Sequence, residues 1–416
     1  MAHPLITSLK TMRGNTRACV LTEPLWGIPF NLYAPYVSVY MRSFDLSDTQ
    51  IGLITSIGLS LQVITALFSG VITDKLGRKR ATLIFDILAW SVPSLLWAVS
   101  QNFYYFVAAA VVNSLWRVTM NSWTCLLVED TPEEQLVDVY SWIYISGLLA
   151  VFFTPIAGLL INQFSLVPTM RGLYIFAFVM MTTKFIVMNA FVKETRQGLV
   201  RMQETRDQSV FSVLSEYRGV FRQILVSPRT LYVIGIMLVM SISNTINNTF
   251  WSLYVTERVM IPKEHLAIYP FARSALMLLF FFLVMPRIRE MNFKRPMLIG
   301  FTTYLLGQII LITTPQGSYI PLLVSTFLEA CSVATVNVQL DRMLVIDVDP
   351  QERARILAII YVIVIVMTAP FGWIGGQLSE INKNLPFLLN MGLFAIGALL
   401  VYLSSRQERK SASLLS

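Results

Sequence analysis

The segment GVITDKLGRKR, Gly70–Arg80, carries one acidic and four basic residues within eleven positions. Long, mostly apolar stretches lie on both sides of it. Basic residues collect in the short cytoplasmic loops of membrane proteins, whereas charge inside the bilayer is costly. The segment is therefore expected to be a charged loop between two membrane-spanning helices.

The rest of the chain has the composition of a membrane protein. Of its 416 residues, 55% are hydrophobic and 13% are charged, and the mean hydropathy is +0.62. Soluble proteins carry about 25% charged residues, and a spanning helix needs about 20 mainly apolar residues. The sequence predicts an all-α polytopic membrane protein with twelve transmembrane helices. The predicted spans lie near residues 17–41, 50–72, 81–99, 103–128, 136–163, 171–193, 230–256, 265–286, 296–315, 319–346, 354–379 and 384–404.

The basic residues predict how these spans are oriented. Most of the 32 Lys and Arg residues fall in the two tails, in the loops after spans 2, 6 and 8, and between spans 10 and 11. The positive-inside rule then places both termini in the cytoplasm of a protein embedded in the cytoplasmic (plasma) membrane. Topology accounts for the net charge of +8, so no nucleic-acid partner is expected. Residues 1–17 lack the apolar core of a cleaved signal peptide, and the first span is expected to direct insertion.

The spans divide into two groups of six. The longest polar interval, 194–229, separates an N-terminal half (1–193) from a C-terminal half (230–416) and is expected to be a cytoplasmic linker. Within it, SVFSVLSEYRGVFRQIL (209–225) has apolar residues at helical spacing. This spacing predicts an amphipathic helix on the membrane surface, with a plain linker as the alternative.

The two halves contain a faint internal repeat. EDTPEEQ (129–135) follows span 4, and DVDPQER (347–353) follows span 10. Repeated halves are typical of secondary transporters, whose substrate sites lie near the middle of the bilayer. Chance similarity over seven residues is the alternative.

The opening loop has a distinctive spacing: Gly, three residues, Asp, a base, any residue, Gly, Arg and further bases. In this pattern, and in its place between spans 2 and 3, it resembles the signature loop of the major facilitator superfamily. The resemblance implies two six-helix halves around a central cavity lined by spans 1, 4, 7 and 10. It also implies transport by alternating access and a monomeric state.

The resemblance further implies a cytoplasmic gate, in which the carboxylate of Asp74 meets the start of span 11, DPQERAR. Gly70 is expected to let two helices approach closely, and Gly77 to adopt a turn conformation. The alternative is that the basic residues only anchor the topology. The predicted gate residues are Gly70, Asp74, Gly77, Arg78, Lys79, Asp349 and Arg353.

Charged residues inside the predicted spans are expected to face a cavity or a partner. Arg117 resembles the span-4 arginine of the proton-coupled drug antiporter branch, although Asn121 stands where that branch has Gly. Glu23 and Arg117 are expected to form a pair that breaks when Glu23 is protonated. A permanent ion pair that fixes helix register is the alternative. Glu329 is the other candidate for proton coupling, and Lys184 is expected to reach the interface or to bond backbone carbonyls.

Aromatic and amide side chains recur at helical spacing on predicted spans 1, 4 and 7. Together with an arginine of span 8, they are expected to line a cavity for an amphipathic molecule. The predicted cavity residues are Trp26, Phe30, Asn113, Trp116, Asn244, Asn247, Asn248, Trp251 and Arg273.

These features predict a secondary active transporter of a small organic molecule, with the lipid bilayer and protons as its other partners. Proton-coupled efflux of amphipathic or drug-like compounds is the leading prediction. Uptake of a metabolite or organic anion is the second, and a non-transporting membrane receptor or regulator is the third. No phosphate-binding loop, nucleophile elbow or zinc signature occurs, so we expect neither an enzyme nor a cofactor or metal. The three cysteines lie in different spans and predict no disulfide framework.

Overall fold

The structure is a computed structural model that describes residue 9 and residues 11–206, 228–283, 294–347 and 353–413. Within these ranges the regular secondary structure is helical. The chain forms two compact units. The first comprises residues 1–46 and 57–215, and the second comprises residues 47–56 and 216–416.

The first unit contains most of the N-terminal helices. Its helix α4 begins in the second unit and continues into the first. The helices are α1 (Gly14–Thr22), α2 (Pro24–Tyr33), α3 (Val37–Arg42), α4 (Asp48–Leu76), α5 (Arg78–Asp86), α6 (Val92–Ala98), α7 (Phe103–Asn113), α8 (Trp116–Val128), α9 (Glu133–Val151), α10 (Thr154–Phe164), α11 (Leu166–Phe191) and α12 (Arg196–Glu204).

The second unit contains the C-terminal helices. They are α13 (Pro228–Glu257), α14 (Ile268–Leu283), α15 (Lys294–Thr313), α16 (Tyr319–Asp347), α17 (Arg353–Thr368), α18 (Pro370–Ile381) and α19 (Leu385–Ser413). The predicted amphipathic segment 209–225 lies outside the described residues.

Several predicted spans are built from two or more shorter helices, because proline sits at the joints. Pro24, Pro93, Pro155 and Pro370 each occupy the first or second position of a helix. Proline has no backbone N–H, so it is tolerated in the first turn but interrupts a continuing helix.

Nine helical stretches in the described residues are long and apolar enough to cross a membrane. The other three predicted spans are divided or incompletely described. The segment 17–41 is split into short helices, 103–128 is interrupted after Asn113, and α14 is described only as far as Leu283. The prediction of an all-α polytopic membrane protein is confirmed.

Each unit has its own apolar core rich in aromatic rings. In the first unit the ring of Tyr174 lies 4.9 Å from that of Tyr33 and 5.4 Å from that of Trp97. In the second unit Tyr304 stacks on Phe394, with ring centroids 3.4 Å apart.

The opening loop is a tight turn between α4 and α5. Gly77 has φ +81° and ψ 157°, a backbone conformation that is essentially restricted to glycine. A Cβ at this position would also lie 2.6 Å from Oε2 of Glu194. The predicted turn at Gly77 is therefore present. The close helix approach expected at Gly70 is wrong for the described residues, because a Cβ there would meet nothing within 4 Å.

Candidate functional site

A buried ion pair lies in the membrane-spanning part of the first unit. Lys184 of α11 is 5% exposed, and its Nζ lies 2.8 Å from Oε2 of Glu23, which lies between α1 and α2. The ammonium also lies 5.9 Å from the ring of Trp26 and 5.6 Å from that of Trp123, close enough for cation–π attraction. The two side chains are only 6% and 14% exposed, so their electrostatic attraction is stronger than it would be in water.

This geometry corrects two expectations. The expected Glu23–Arg117 pair is wrong, because Glu23 is paired with Lys184 instead. Lys184 was expected to reach the interface or to bond backbone carbonyls, but its ammonium is held inside the unit by a carboxylate.

Arg117 has a different environment on α8. Its Nε donates to Oε1 of Gln62 at 3.1 Å, and its guanidinium lies over the ring of Trp116 at 4.2 Å. The side chain is half-buried, and its neighbour Met120 is 51% exposed. The amide and the ring carry no negative charge, so the positive charge of the guanidinium is not neutralised by them and can attract an anion.

The predicted aromatic wall on the first span is a compact cluster. The rings of Trp26 and Phe30 stack with centroids 4.8 Å apart. Trp90 of the third predicted span packs edge-on against Trp26 at 5.0 Å. Trp90 did not figure among the predicted cavity residues. Its aromatic character was the available signal, but no periodic pattern connected it to the first span.

Asn113 is tied to the backbone of a neighbouring span. Its Nδ2 donates to the carbonyl oxygen of Ala89 at 2.8 Å. In an α-helix that carbonyl would accept from the residue four positions later, which is Pro93 and has no N–H. The Asn113 amide therefore satisfies an acceptor that proline leaves free.

Sequence reasoning also missed Asp86, at the end of α5. This carboxyl is 3% exposed, and its Oδ2 has no hydrogen-bond partner. Lys184 and Glu23 are close enough to act on it electrostatically. An acidic residue inside predicted span 81–99 was the signal, but its closeness to the charged loop made it resemble part of that loop.

The second unit holds a buried carboxyl in an amide and hydroxyl network. Glu329 of α16 is 7% exposed, and its Oε1 accepts from Nδ2 of Asn247 at 2.8 Å. The same Nδ2 donates to the hydroxyl of Tyr304 at 3.1 Å, and Oδ1 of Asn247 accepts from Asn390 at 3.2 Å. In the described part of the chain, Glu329 forms no salt bridge, although the charge of Arg273 acts on it at longer range.

The remaining predicted cavity residues of the second unit lie on α13 and α14. Asn244 and Asn248 are exposed and hydrogen-bonded to each other at 3.3 Å. Trp251 packs edge-on against Tyr269 at 5.3 Å, and Arg273 is exposed on α14. Helix α13 thus presents amides and an aromatic ring along one stretch.

The loop between α4 and α5 is the centre of a second charged network. The guanidinium of Arg78 lies 2.8 Å from Oδ1 of Asp74 and 3.1 Å from Oε1 of Glu129. The Glu194 carboxylate accepts from the backbone N–H groups of Arg78 at 2.8 Å and Lys79 at 3.0 Å. Carboxylates at the start of α5 accept from N–H groups that have no partner within the helix. Their negative charge is also stabilised by the positive end of the helix dipole.

Arg201 of α12 reaches the same loop. Its Nη2 lies 3.1 Å from Oδ2 of Asp74, and this carboxylate raises the pKa of the Arg201 guanidinium. Sequence reasoning gave Arg201 no role, because it belongs to the polar linker. The predicted gate partner Asp349 and the side chain of Arg353 lie outside the described residues.

A third network lies in the second unit, at the opposite end of α4. The Nζ of Lys383 binds the Asp48 carboxylate and lies 2.7 Å from Oε2 of Glu257. The Asp48 carboxylate also accepts from the hydroxyl of Ser379. Close backbone contact supports it, because a Cβ at Gly372 would lie 2.8 Å from the carbonyl oxygen of Gly52. Sequence analysis did not predict this network.

The model of the Major Facilitator Superfamily matches residues 26–343. The quinolone resistance protein NorA of Staphylococcus aureus (strain MSSA476) is 22% identical over 238 residues, which are 57% of this chain and 57% of NorA. The uncharacterized MFS-type transporter YqjV of Bacillus subtilis (strain 168) is 25% identical over 127 residues, 30% of this chain and 31% of YqjV. The chain thus spans only part of the length of these curated relatives.

Solved structures share the fold at low sequence identity. A point mutant of the nucleoside transporter NupG has a TM-score of 0.76 at 15% identity, covering 94% of this chain and 100% of NupG. A POT family transporter in complex with 5-aminolevulinic acid has a TM-score of 0.71 at 14% identity, covering 93% of this chain and 94% of that transporter. The family match over most of the chain, together with the helices that are long and apolar enough to span a membrane, shows that the protein belongs to the Major Facilitator Superfamily.

Proposed function

We propose that the protein is a secondary active transporter that exports amphipathic or drug-like compounds in exchange for protons. The observation that carries this proposal is the environment of Glu329. Its buried carboxyl accepts from the Asn247 amide, which also donates to the Tyr304 hydroxyl, and it forms no salt bridge in the described residues. An ionised carboxylate in such a place is costly, so it gains a proton or a cationic ligand. Proton and substrate can therefore compete for one group.

The aromatic and amide side chains add to this support. In the first unit Trp26 and Phe30 stack on each other, and in the second unit Trp251 and Asn244 lie on α13. Each set supplies side chains of the kinds that small-molecule sites use. The name of the distant relative NorA, a quinolone resistance protein, agrees with drug-like substrates.

Uptake of an organic anion is the second candidate. It is favoured by Arg117, whose guanidinium is held by Gln62 and Trp116 and remains available to a carboxylate or phosphate. In that case, proton movement would accompany transport of an anion rather than of a drug-like compound.

The test uses purified protein in proteoliposomes that contain a pH-sensitive dye. Ethidium, a fluoroquinolone and an organic anion are added in turn, and substrate-dependent proton movement is recorded. We expect ethidium or the fluoroquinolone to cause proton movement that Glu329→Gln reduces roughly tenfold or more, since the amide keeps the Asn247 contact but binds no proton.

The matched control is Glu134→Gln, an exposed acid at the start of α9 that should leave proton movement unchanged. Proton movement that survives Glu329→Gln would remove Glu329 from the proton path. A response to the anion alone would favour uptake, and binding without flux of any compound would favour a receptor.

A further inference from the structure

Asp86 occupies a position fixed by an irregular stretch of helix. Residues Ile87–Ser91 form a π-helical turn, in which the N–H of Val92 donates to the carbonyl of Ile87, five residues earlier. Pro93 cannot complete the ordinary α-helical pattern, which accounts for the wider turn. Such turns occur frequently at functional sites.

The surroundings of Asp86 contain more acid than base. Among the described residues, Lys184 of α11 is the base that acts on it electrostatically, and Glu23 is a second acid that already holds the Lys184 ammonium at 2.8 Å. The thiol of Cys19 and the hydroxyl of Thr119 also interact with Asp86, and they supply no positive charge. One ammonium balances one carboxylate, so the second acid in this buried place requires a proton.

We propose that Asp86 is a proton-binding residue of the first unit, neutral while Lys184 is paired with Glu23. When the Asp86 carboxyl group loses its proton to a water molecule, the O–H bond breaks and a carboxylate forms. The ammonium of Lys184 is then attracted by two carboxylates and is shared between them. Binding of a proton from water reverses the step and returns Lys184 to Glu23.

As a step in transport, this inference rests on the proposed proton coupling. It gives the protein a second proton-binding group besides Glu329, in the other unit. The Lys184–Glu23 pair would then respond to protonation although neither member needs to carry the proton itself.

The test counts protonated carboxylic acids by infrared spectroscopy of the purified protein at neutral pH, from the carbonyl band that shifts in D2O. All variants carry Glu329→Gln, which removes the other candidate acid. Within the cluster of Glu23, Lys184 and Asp86, charge balance predicts one protonated acid in this background and none with Asp86→Asn, so the band should lose the intensity of one acid. Glu23→Gln should lower the band by the same amount, because Lys184 is then free to pair with an ionised Asp86.

Removing the base gives the opposite result. Lys184→Met should leave two protonated acids in this cluster and raise the band by about the intensity of one acid. Asp86→Glu, which keeps an acid at position 86, should give the same band as the background protein. An unchanged band in Asp86→Asn, or no band in the background protein, would overturn the assignment. If Asp86→Asn fails to fold, the Glu23→Gln and Lys184→Met spectra still decide, because an unchanged band in both contradicts charge balance.

The transport experiment separates this inference from the proposed function. In proteoliposomes with ethidium, a wild-type protein that moves no protons would refute the proposed proton coupling, whatever the spectrum. Proton movement that survives Asp86→Asn, together with loss of the band, would overturn the role of Asp86 in transport.

Discussion

At the scale of single residues, Gly77 is the position where the backbone conformation and the local space both require glycine. Its φ of +81° with ψ of 157° is nearly closed to other residues, and a Cβ would press on the Glu194 carboxylate that binds the N–H of Arg78. We expect Gly77→Ala to lower the free energy of unfolding by about 1–3 kcal/mol. Thermal unfolding of the purified protein measures this.

Gly70 is the matched control for that substitution. It lies in the same loop segment but within α4, and a Cβ there meets no described atom. Gly70→Ala should leave stability unchanged or raise it by about 0.5–1 kcal/mol, since alanine favours helix. Equal losses in the two variants would contradict the conformational argument.

At the scale of helices, the irregular third span depends on a side chain of the fourth. Asn113 satisfies the Ala89 carbonyl that Pro93 leaves free, in a place where Ala89 is fully buried. Asn113→Leu should therefore cost about 1–3 kcal/mol of stability. In a Pro93→Ala background the same substitution should cost less, because residue 93 then offers an N–H to Ala89.

This double-mutant comparison also decides how Asn113 acts. Thermal unfolding of the four proteins gives the coupling between residues 113 and 93. If Asn113→Leu abolishes substrate binding and shows no such coupling, Asn113 acts as the substrate-cavity residue that the sequence predicts.

At the scale of the whole molecule, the orientation of the chain remains a prediction with a direct test. Gln101, between α6 and α7, and Gln197, on α12, are both exposed, and the positive-inside rule places them on opposite sides of the membrane. In a variant without the native cysteines, an impermeant maleimide should label Gln101→Cys in intact cells. Gln197→Cys should be labelled only after permeabilisation, and the reverse pattern would invert the topology.

Much of the fold could be predicted, because apolar length and loop charge follow from single stretches of sequence. The candidate site could be predicted only in part. Helical spacing gives the face on which Glu23 lies, but whether Arg117 or Lys184 meets that face depends on how the helices pack. The positions of Asp86 and Arg201 in the sequence also gave no sign of their contacts, because Asp86 lies beside a charged loop and Arg201 lies in a polar linker.

The two arginines that share Asp74 differ in their contact with water. Arg78 is 5% exposed, whereas the side chain of Arg201 is 42% exposed. Dissolved ions weaken the attraction between exposed charges, with a screening length of about 10 Å at 0.1 M ionic strength, but they weaken buried pairs much less. Rising ionic strength therefore weakens the Arg201–Asp74 contact while the contacts of Arg78 persist, so the position of the Arg201 side chain of α12 depends on the salt content of the surrounding solution.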